Sequence, residues 1–584
     1  MNIAKTSLSV AALAVLGLAA NRRLREILYA KAARLPVAEN DITVERGLSF
    51  ETTDGITLVS DLYRPTGVQS HPTIIIRTSY GRGHSSSVRY PAFFARRGYV
   101  VLIQDVRGCG DSGGVFVPLV DERRDGAATV AWVKRQPWCD GRIAAFGVSY
   151  LGYTSTAIGV DNDPAVNAVF SAAAPSGFRR ILYGTGGFDL DTSLRWAKFV
   201  KQLQDAGYQV RISTMLREQI LSQLGRARHA EPFDHLPIVD ADAAATGSPI
   251  AQYQTFVRSA DPDTPYWAAS SITEEEISGI EAPVFLSSSW HDTALRDVLI
   301  DYEALASAGK APLLSIGAGP HSNVSESLGY LRNAKSWFDH RLKGVPVDEA
   351  HPTVRFRVLG TREWWEADRW PVAVRSKRLY LQRGHALTEV PPIEDAATTS
   401  YRYDPMDPTP AVGGPLLLAM KPVKNNAQLE ARGDTLVFTA QPFECATVVI
   451  GEIKATINVD TDVETVDLFV RINRVSRAGR SENVTDSIER LSLGSAAGGA
   501  VTVELSLVPT AIRFKRGERL RLLIASGAHP RVARNLGQGS TAEQAFMTEG
   551  RAATITVHHS RLRPSFIELP IAGPPANTRS YRAS

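Results

Sequence analysis

The chain is short of the residues that make crosslinks and metal clusters. Its 584 residues include three cysteines, Cys109, Cys139 and Cys445, which lie far apart. That excludes a disulfide framework, and no Cys/His spacing suggests a zinc site. A surplus of one charge is also missing: 65 Lys and Arg stand against 61 Asp and Glu, a formal net charge of +4. Backbone binding of nucleic acid needs a concentrated basic face, so nothing here argues for that partner. There is no repeat at a fixed period and no low-complexity tract. The apolar run Ser7–Ala20 stops short of the roughly 20 residues of a relaxed membrane span. Lys5 before it and the small residues Gly17 and Ala19 resemble a weak signal peptide, whereas Arg22, Arg23 and Arg25 just after it resist export. A cleaved signal, a membrane-contacting segment and an ordinary hydrophobic arm (residues 1–34) stay open, and so does the compartment. What is present is ordinary: 44% hydrophobic and 22% charged residues, in a chain long enough for two or three domains.

Beyond about residue 35 the pattern alternates apolar runs with helical stretches. Thr73–Thr78, Tyr99–Gln104, Arg142–Phe146, Ala168–Phe170 with its flanks, Val284–Ser288 and Leu313–Ile316 are such runs. Uniformly apolar strands are what a parallel sheet covered on both faces requires. With helix-like pieces such as Arg123–Lys134 between them, they predict a doubly wound α/β domain over residues 35–175 and 272–345. Residues 176–271 break the rhythm. Leu194, Ala197, Val200 and Leu203 form a helical stripe, Met215–Leu224 reads the same way, and an insertion at the ligand-binding end of a sheet is expected to cap the site. From residue 346 to 584 the strands alternate polar and apolar residues between Gly/Pro/Asp turns, beginning with Val354–Leu359. That predicts an antiparallel sandwich with one wet face. The Pro-rich stretch Tyr403–Pro410 reads as a rigid connection within it.

The strongest chemical signal is Gly147-Val148-Ser149-Tyr150-Leu151-Gly152, between a strand and a helix-compatible run. A nucleophilic serine needs its hydroxyl projected from a tight strand-to-helix turn, where a base can take its proton and the helix amino terminus favours negative charge. The second glycine stands one position later than the general pattern wants. The bland alternative is a glycine-bounded turn with an incidental serine. An acid and a base in the required order support the nucleophile: one later strand ends at Asp292, and the next opens into the loop presenting His321. Imidazole suits the base because it exchanges a proton near neutral pH, and a buried carboxylate fixes its tautomer. His291 and Asp297 are rivals for these roles, but a neighbour at a strand end points to the other side and Asp297 lies inside the next helix. His84 fits the entrance loop and His340 a solvated helix face, while His558 and His559 face opposite sides of a strand and cannot share one metal. An oxyanion needs two donors. The Tyr150 amide is one, and the Tyr80 hydroxyl, after the strand ending at Thr78, is the other, unless that ring merely packs under the cap. Gly108-Cys109-Gly110-Asp111-Ser112-Gly113 imitates a dinucleotide fingerprint, but Val115-Phe116-Val117-Pro118 follows instead of a helix.

Together these residues resemble the cocaine-esterase-like (CocE/NonD) hydrolases, which are related to X-Pro dipeptidyl-peptidases and α-amino-acid ester hydrolases. The resemblance rests on GVSYLG at 147–152, DVRGCGDSGG at 105–114, Tyr80 within RTSYGR, WHD at 290–292 and GPHSN at 319–323. DTPYW at 263–267, YDPMDPTPAVGG at 403–414 and GERLRLLIASGAHPRVARN at 517–535 extend it over nearly the whole chain beyond about residue 40. The late Gly152 is that family's own spacing. The resemblance implies Ser149 as nucleophile, Asp292 and His321 as its partners, and Tyr80 with the Tyr150 amide as oxyanion hole. It implies an α/β-hydrolase fold with an inserted helical cap, followed by an all-β jelly-roll sandwich domain. The cap matches few family residues, so the substrate does not carry over.

The expectation is a serine hydrolase that cleaves esters, or amides, through an acyl-enzyme, acting on a small-molecule ester or short peptide without metal or organic cofactor. An X-Pro dipeptidyl-peptidase is the alternative within the class, to be favoured by an acidic side chain in the pocket. A non-catalytic carbohydrate- or ligand-binding protein is the alternative outside it. The sequence is silent on oligomeric state.

Overall fold

The computed structural model of the chain describes residues 28, 30–31, 37–38, 40–67, 69–84, 87, 89–208, 231–321, 323–346, 353–372, 374–493, 499–572 and 579–582. The amino-terminal apolar run and the stripe expected at Met215–Leu224 lie outside them. No helix among the described residues is long and apolar enough to cross a membrane.

Ten strands in chain order build most of the first sheet: β1 (Ile42–Glu51), β2 (Thr57–Pro65), β3 (His71–Thr78), β4 (Val100–Asp105), β5 (Cys139–Val148), β6 (Val166–Ala172), β7 (Val284–His291), β8 (Leu313–Pro320), β9 (Val354–Arg357) and β10 (Glu363–Ala367). Among the described residues this sheet has 11 strands in the order β1-β2-β4-β3-β5-β6-β7-β8-β9-β10, closed by Arg579–Arg582. From β4 through β3, β5, β6, β7 and β8 to β9 every pairing is parallel. Every residue of β4 and β7 is buried, because helices such as Glu122–Val133 and Val324–Lys343 flank the sheet and leave no wet side for polar residues.

The purely parallel expectation is corrected at both ends. The β1 strand pairs with β2, and β2 with β4, antiparallel. The β1 residues are mostly exposed, so ITVERGLSFE carries no apolar run to betray a strand. Val354–Leu359, expected to open the sandwich, instead supplies β9, with Leu314 opposite Val354 and Ile316 opposite Phe356 in parallel register. In β9 alternate residues are only partly covered, which imitates the pattern of a half-wet sandwich strand.

Between β6 and β7 the described chain is helical: Phe178–Tyr183, Leu190–Asp205, Ala241–Thr246, Ala251–Arg258, Pro265–Ser270 and Glu274–Ser278 are its main helices. Leu190–Asp205 starts where the Asp189 carboxylate accepts the Thr192 N–H, and it buries Leu194, Ala197, Val200 and Leu203 along one face. One apolar cluster runs unbroken from Phe146, Phe170 and Phe338 of the sheet layer to Val200 and Phe256 of the inserted helices. The remaining strands form a second sheet with its own core, including Phe438, Ile457, Phe514, Leu520 and Ile567. Most of its pairings are antiparallel, with Thr465–Val475 between Ser481–Ser492 and Arg519–Ala525. Among the strands of the described residues, one pairing there is parallel, Ala386–Thr388 with Thr435–Ala440.

Candidate active site

The parallel strands β3, β5, β7 and β8 all end on one side of the sheet, and each leads to one of the residues singled out above. Ser149 follows β5 directly, with φ 60° and ψ −128°, a conformation that costs a non-glycine residue about 1–3 kcal/mol. Its surroundings leave it no choice. A Cβ on Gly147 would lie 1.8 Å from the Leu151 carbonyl oxygen, and one on Gly152 would lie 2.5 Å from the Ala174 Cβ. The chain therefore turns tightly from strand into the helix Tyr150–Val160, which lifts the serine hydroxyl out of the turn.

His321 and Asp292 meet this hydroxyl in line. His321 Nε2 is 2.9 Å from Ser149 Oγ, and His321 Nδ1 is 2.8 Å from Asp292 Oδ1. Asp292 is only 1% exposed; its carboxylate accepts the Ala294 N–H at 2.9 Å and the Ser288 hydroxyl at 3.2 Å. Burial lowers the His321 pKa, but the charge and hydrogen bond of Asp292 outweigh it and leave the imidazole above its ordinary value. The loop carrying His321 is held by Glu326, whose Oε1 accepts the N–H groups of Ala318 at 3.1 Å and Gly319 at 2.9 Å. Gly317 and Gly319 make that possible, since a Cβ at either would collide with Glu326.

Tyr80, two residues beyond β3, reaches the same place. Its hydroxyl accepts the Trp196 indole N–H at 3.2 Å. Burial pushes its pKa up to about 12, with hydrogen bonds to Trp196 and Ser149 opposing, so near neutral pH the hydroxyl keeps its proton and can donate. The ring also packs against Phe199 and edge-on to Tyr150; the packing alternative and the donor alternative thus describe one side chain. The Tyr150 amide follows Ser149 at the start of the helix.

The rivals are elsewhere. His291 is buried beside the acid, and burial, partly offset by the negative charge of Asp486, pulls its pKa down to about 4. Asp297 pairs with Arg180 Nε at 2.6 Å. His84 does not line the entrance; it is buried, 2% exposed, because the loop after β3 folds inward through the Ser87 N–H bond to its carbonyl. His340 bonds the Val345 carbonyl, His558 pairs with Asp460, and His559 contacts Thr399. The glycine-rich 108–113 segment is a tight loop around Asp105, where a Cβ on Gly110 would clash at 2.1 Å, and turn rather than helix follows it.

A pocket opens over Ser149 and His321. Tyr150, Tyr153, Phe178, Ile181, Trp196 and Phe256 form most of its wall, with Leu119, Thr192, Thr293 and Leu417. Apart from the His321 imidazole, no carboxylate, lysine, arginine or further histidine lines it among the described residues. Trp196, Phe256 and Leu417 had no signal in the sequence. They are ordinary apolar residues, and Leu417 arrives from the all-β part of the chain, beyond the segment read only as a rigid connection.

Comparisons with known proteins agree with this architecture. Residues 54–323 match the X-Pro dipeptidyl-peptidase (S15 family) model, and residues 347–568 match the X-Pro dipeptidyl-peptidase C-terminal non-catalytic domain. A cocaine esterase from a Rhodococcus species is 26% identical, over 92% of this chain and 100% of that protein. Among solved structures, an α-amino-acid ester hydrolase superposes with a TM-score of 0.76 at 20% identity, covering 91% of this chain and 97% of that one. A CocE/NonD family hydrolase from Staphylococcus aureus gives 0.66 at 18% identity, covering 91% of this chain and 94% of that one. The chain thus joins an α/β-hydrolase-like amino-terminal domain to an all-β carboxy-terminal domain, and it belongs to the CocE/NonD and S15 family of serine hydrolases.

Proposed function

We propose that the protein is an esterase that works through an acyl-enzyme. His321 takes the proton of Ser149 as the serine oxygen attacks the ester carbonyl. The developing oxyanion accepts hydrogen bonds from the Tyr80 hydroxyl and the Tyr150 amide. His321 then returns the proton to the leaving alcohol and activates the water that releases the acid. Asp292 holds the imidazole tautomer and stabilises its charged form. The observation that carries this reading is the line of hydrogen-bond distances from Ser149 Oγ through His321 to Asp292, 2.9 and 2.8 Å.

The pocket favours esters of apolar or aromatic acids over X-Pro peptides. A dipeptidyl-peptidase must bind the free amine of its substrate with an anionic group, and no carboxylate lines the pocket among the described residues. Indole, phenol and phenyl walls instead suit an uncharged acyl group. Residues 176–271 act in this reading as the cap that shapes the acyl site, with 35–175, 272–345 and the strands β9 and β10 as the hydrolase domain and the second sheet, from Val374 onward, as a jelly roll. A non-catalytic binding role would leave the aligned Ser149, His321 and Asp292 without purpose.

Two measurements test the proposal. Ser149→Ala should abolish hydrolysis of p-nitrophenyl esters while circular dichroism stays native; near-normal turnover would assign the nucleophile elsewhere. A rate comparison on a p-nitrophenyl acetate, a p-nitrophenyl benzoate and an X-Pro-anilide should favour the two esters, and a faster anilide would make the protein a peptidase.

A further inference from the structure

One ion pair lies buried in the hydrolase domain, directly behind the pocket wall residue Tyr150. Arg77 on β3 and Glu122, at the start of the helix Glu122–Val133, meet at 2.7 Å, with side chains 0% and 5% exposed. Arg77 also donates to the Glu122 carbonyl at 2.7 Å and to Gln104 at 2.9 Å. The other Glu122 oxygen accepts the Tyr150 hydroxyl at 2.7 Å, and the same hydroxyl accepts the Leu119 N–H at 3.0 Å. Leu119 has φ 70°, a backbone region that leucine rarely visits. Its carbonyl is held in turn by the Tyr153 hydroxyl at 3.2 Å.

A buried ion pair is weak as a source of stability, because desolvation cancels most of its attraction and apolar residues of the same volume serve as well. What this pair does that apolar residues cannot is join two particular points. Arg77 stands three residues before Tyr80 on the same strand and turn, and Glu122 grips Tyr150. The pair therefore spans the two groups assigned above to the oxyanion. We propose that Glu122, backed by Arg77, is a positioning residue that sets the Tyr150 amide relative to the Tyr80 hydroxyl, acting through the Tyr150 hydroxyl. This rests on the oxyanion assignment above and adds its support. Burial raises the Glu122 pKa, with Arg77 and the Tyr150 bond opposing, and the Tyr150 phenol is held far above its ordinary value, so the tyrosine keeps its proton and its hydroxyl donates to Glu122 Oε1.

The test uses the full chain with Tyr150→Phe, Glu122→Ala, Glu122→Gln and the Glu122→Ala/Tyr150→Phe double variant, assayed on p-nitrophenyl acetate well below each variant's melting temperature. Tyr150→Phe keeps the amide and ring and loses only the hydroxyl. It and Glu122→Ala should each lower kcat roughly 10- to 100-fold, the scale of a small misplacement of a catalytic group, with KM within about twofold. Glu122→Gln, which keeps an acceptor oxygen, should recover most of the rate. The double variant should be no slower than the worse single, because both changes break one path. Unchanged kcat in Tyr150→Phe, a change in KM alone, or losses that multiply would each overturn the proposal. If Glu122→Ala does not fold, Tyr150→Phe decides by itself. An inactive Ser149→Ala beside a fully active Tyr150→Phe would remove only this inference, whereas an active Ser149→Ala would remove the mechanism beneath it.

Discussion

At the scale of single residues, reactivity here is a matter of which groups share a small desolvated space. Near neutral pH His321 must be uncharged to accept the serine proton, and Asp292 raises its pKa above the ordinary histidine value despite burial. The acidic limb of kcat/KM should therefore lie above pH 6.5. Asp292→Asn removes the raising charge and leaves burial, so the limb should move to lower pH, while kcat falls roughly 10⁴-fold through the wrong tautomer. A pH-rate profile of the two proteins checks both; an unmoved limb would mean another group titrates. Tyr80 makes a separate prediction. With its pKa up at about 12, the hydroxyl is a donor at every pH where His321 is active. Tyr80→Phe should then lower kcat roughly 10²- to 10³-fold with little effect on KM. If KM rises and kcat holds, Tyr80 is a binding residue.

At the scale of elements, the site depends on how strands hand over to helices. Ser149 sits at a positive φ only because Gly147 lets the turn close to 1.8 Å from where a Cβ would meet the Leu151 carbonyl. The colliding atom is backbone and cannot swing away. Gly147→Ala should thus destabilise the protein by roughly 4 kcal/mol or more, the range reserved for severe steric or core defects, seen as a large drop in melting temperature or loss of soluble protein. A mild shift would show that the turn can relax. The turn was legible in GVSYLG because glycine spacing reports backbone geometry directly. The helix Phe178–Tyr183 shows the opposite case. Its Phe178 and Ile181 face the pocket while Arg180 reaches the buried Asp297, a division that the short string FRRILY does not announce.

At the scale of the whole molecule, the parts are not independent. The β9 strand completes the parallel run of the first sheet, Leu359 exchanges backbone hydrogen bonds with Ala511 and Arg513, and Arg513 forms a two-pronged ion pair with Glu363 at 2.7 and 2.8 Å. The inserted helices bond the all-β part through Phe188 with Ala533 and Val239 with Ala545. A chain ending at residue 345 would lose β9, expose Ile316 and Trp290 and open the pocket wall at Leu417. It should be insoluble or inactive, and a soluble, fully active fragment would make the all-β part dispensable.

Alternating apolar runs, glycine-bounded turns and the order Ser149, Asp292, His321 are local features of the chain, so the class of chemistry and the residues proposed to bear it could be named before any coordinates. The edge strand β1 and the short strand β9 could not, because partial exposure erases the apolar run that marks a buried strand. Nor could the pocket, whose walls come from Leu119, Trp196, Phe256 and Leu417. Specificity of that kind is a property of space enclosed by distant segments, and only long-range packing brings those segments together.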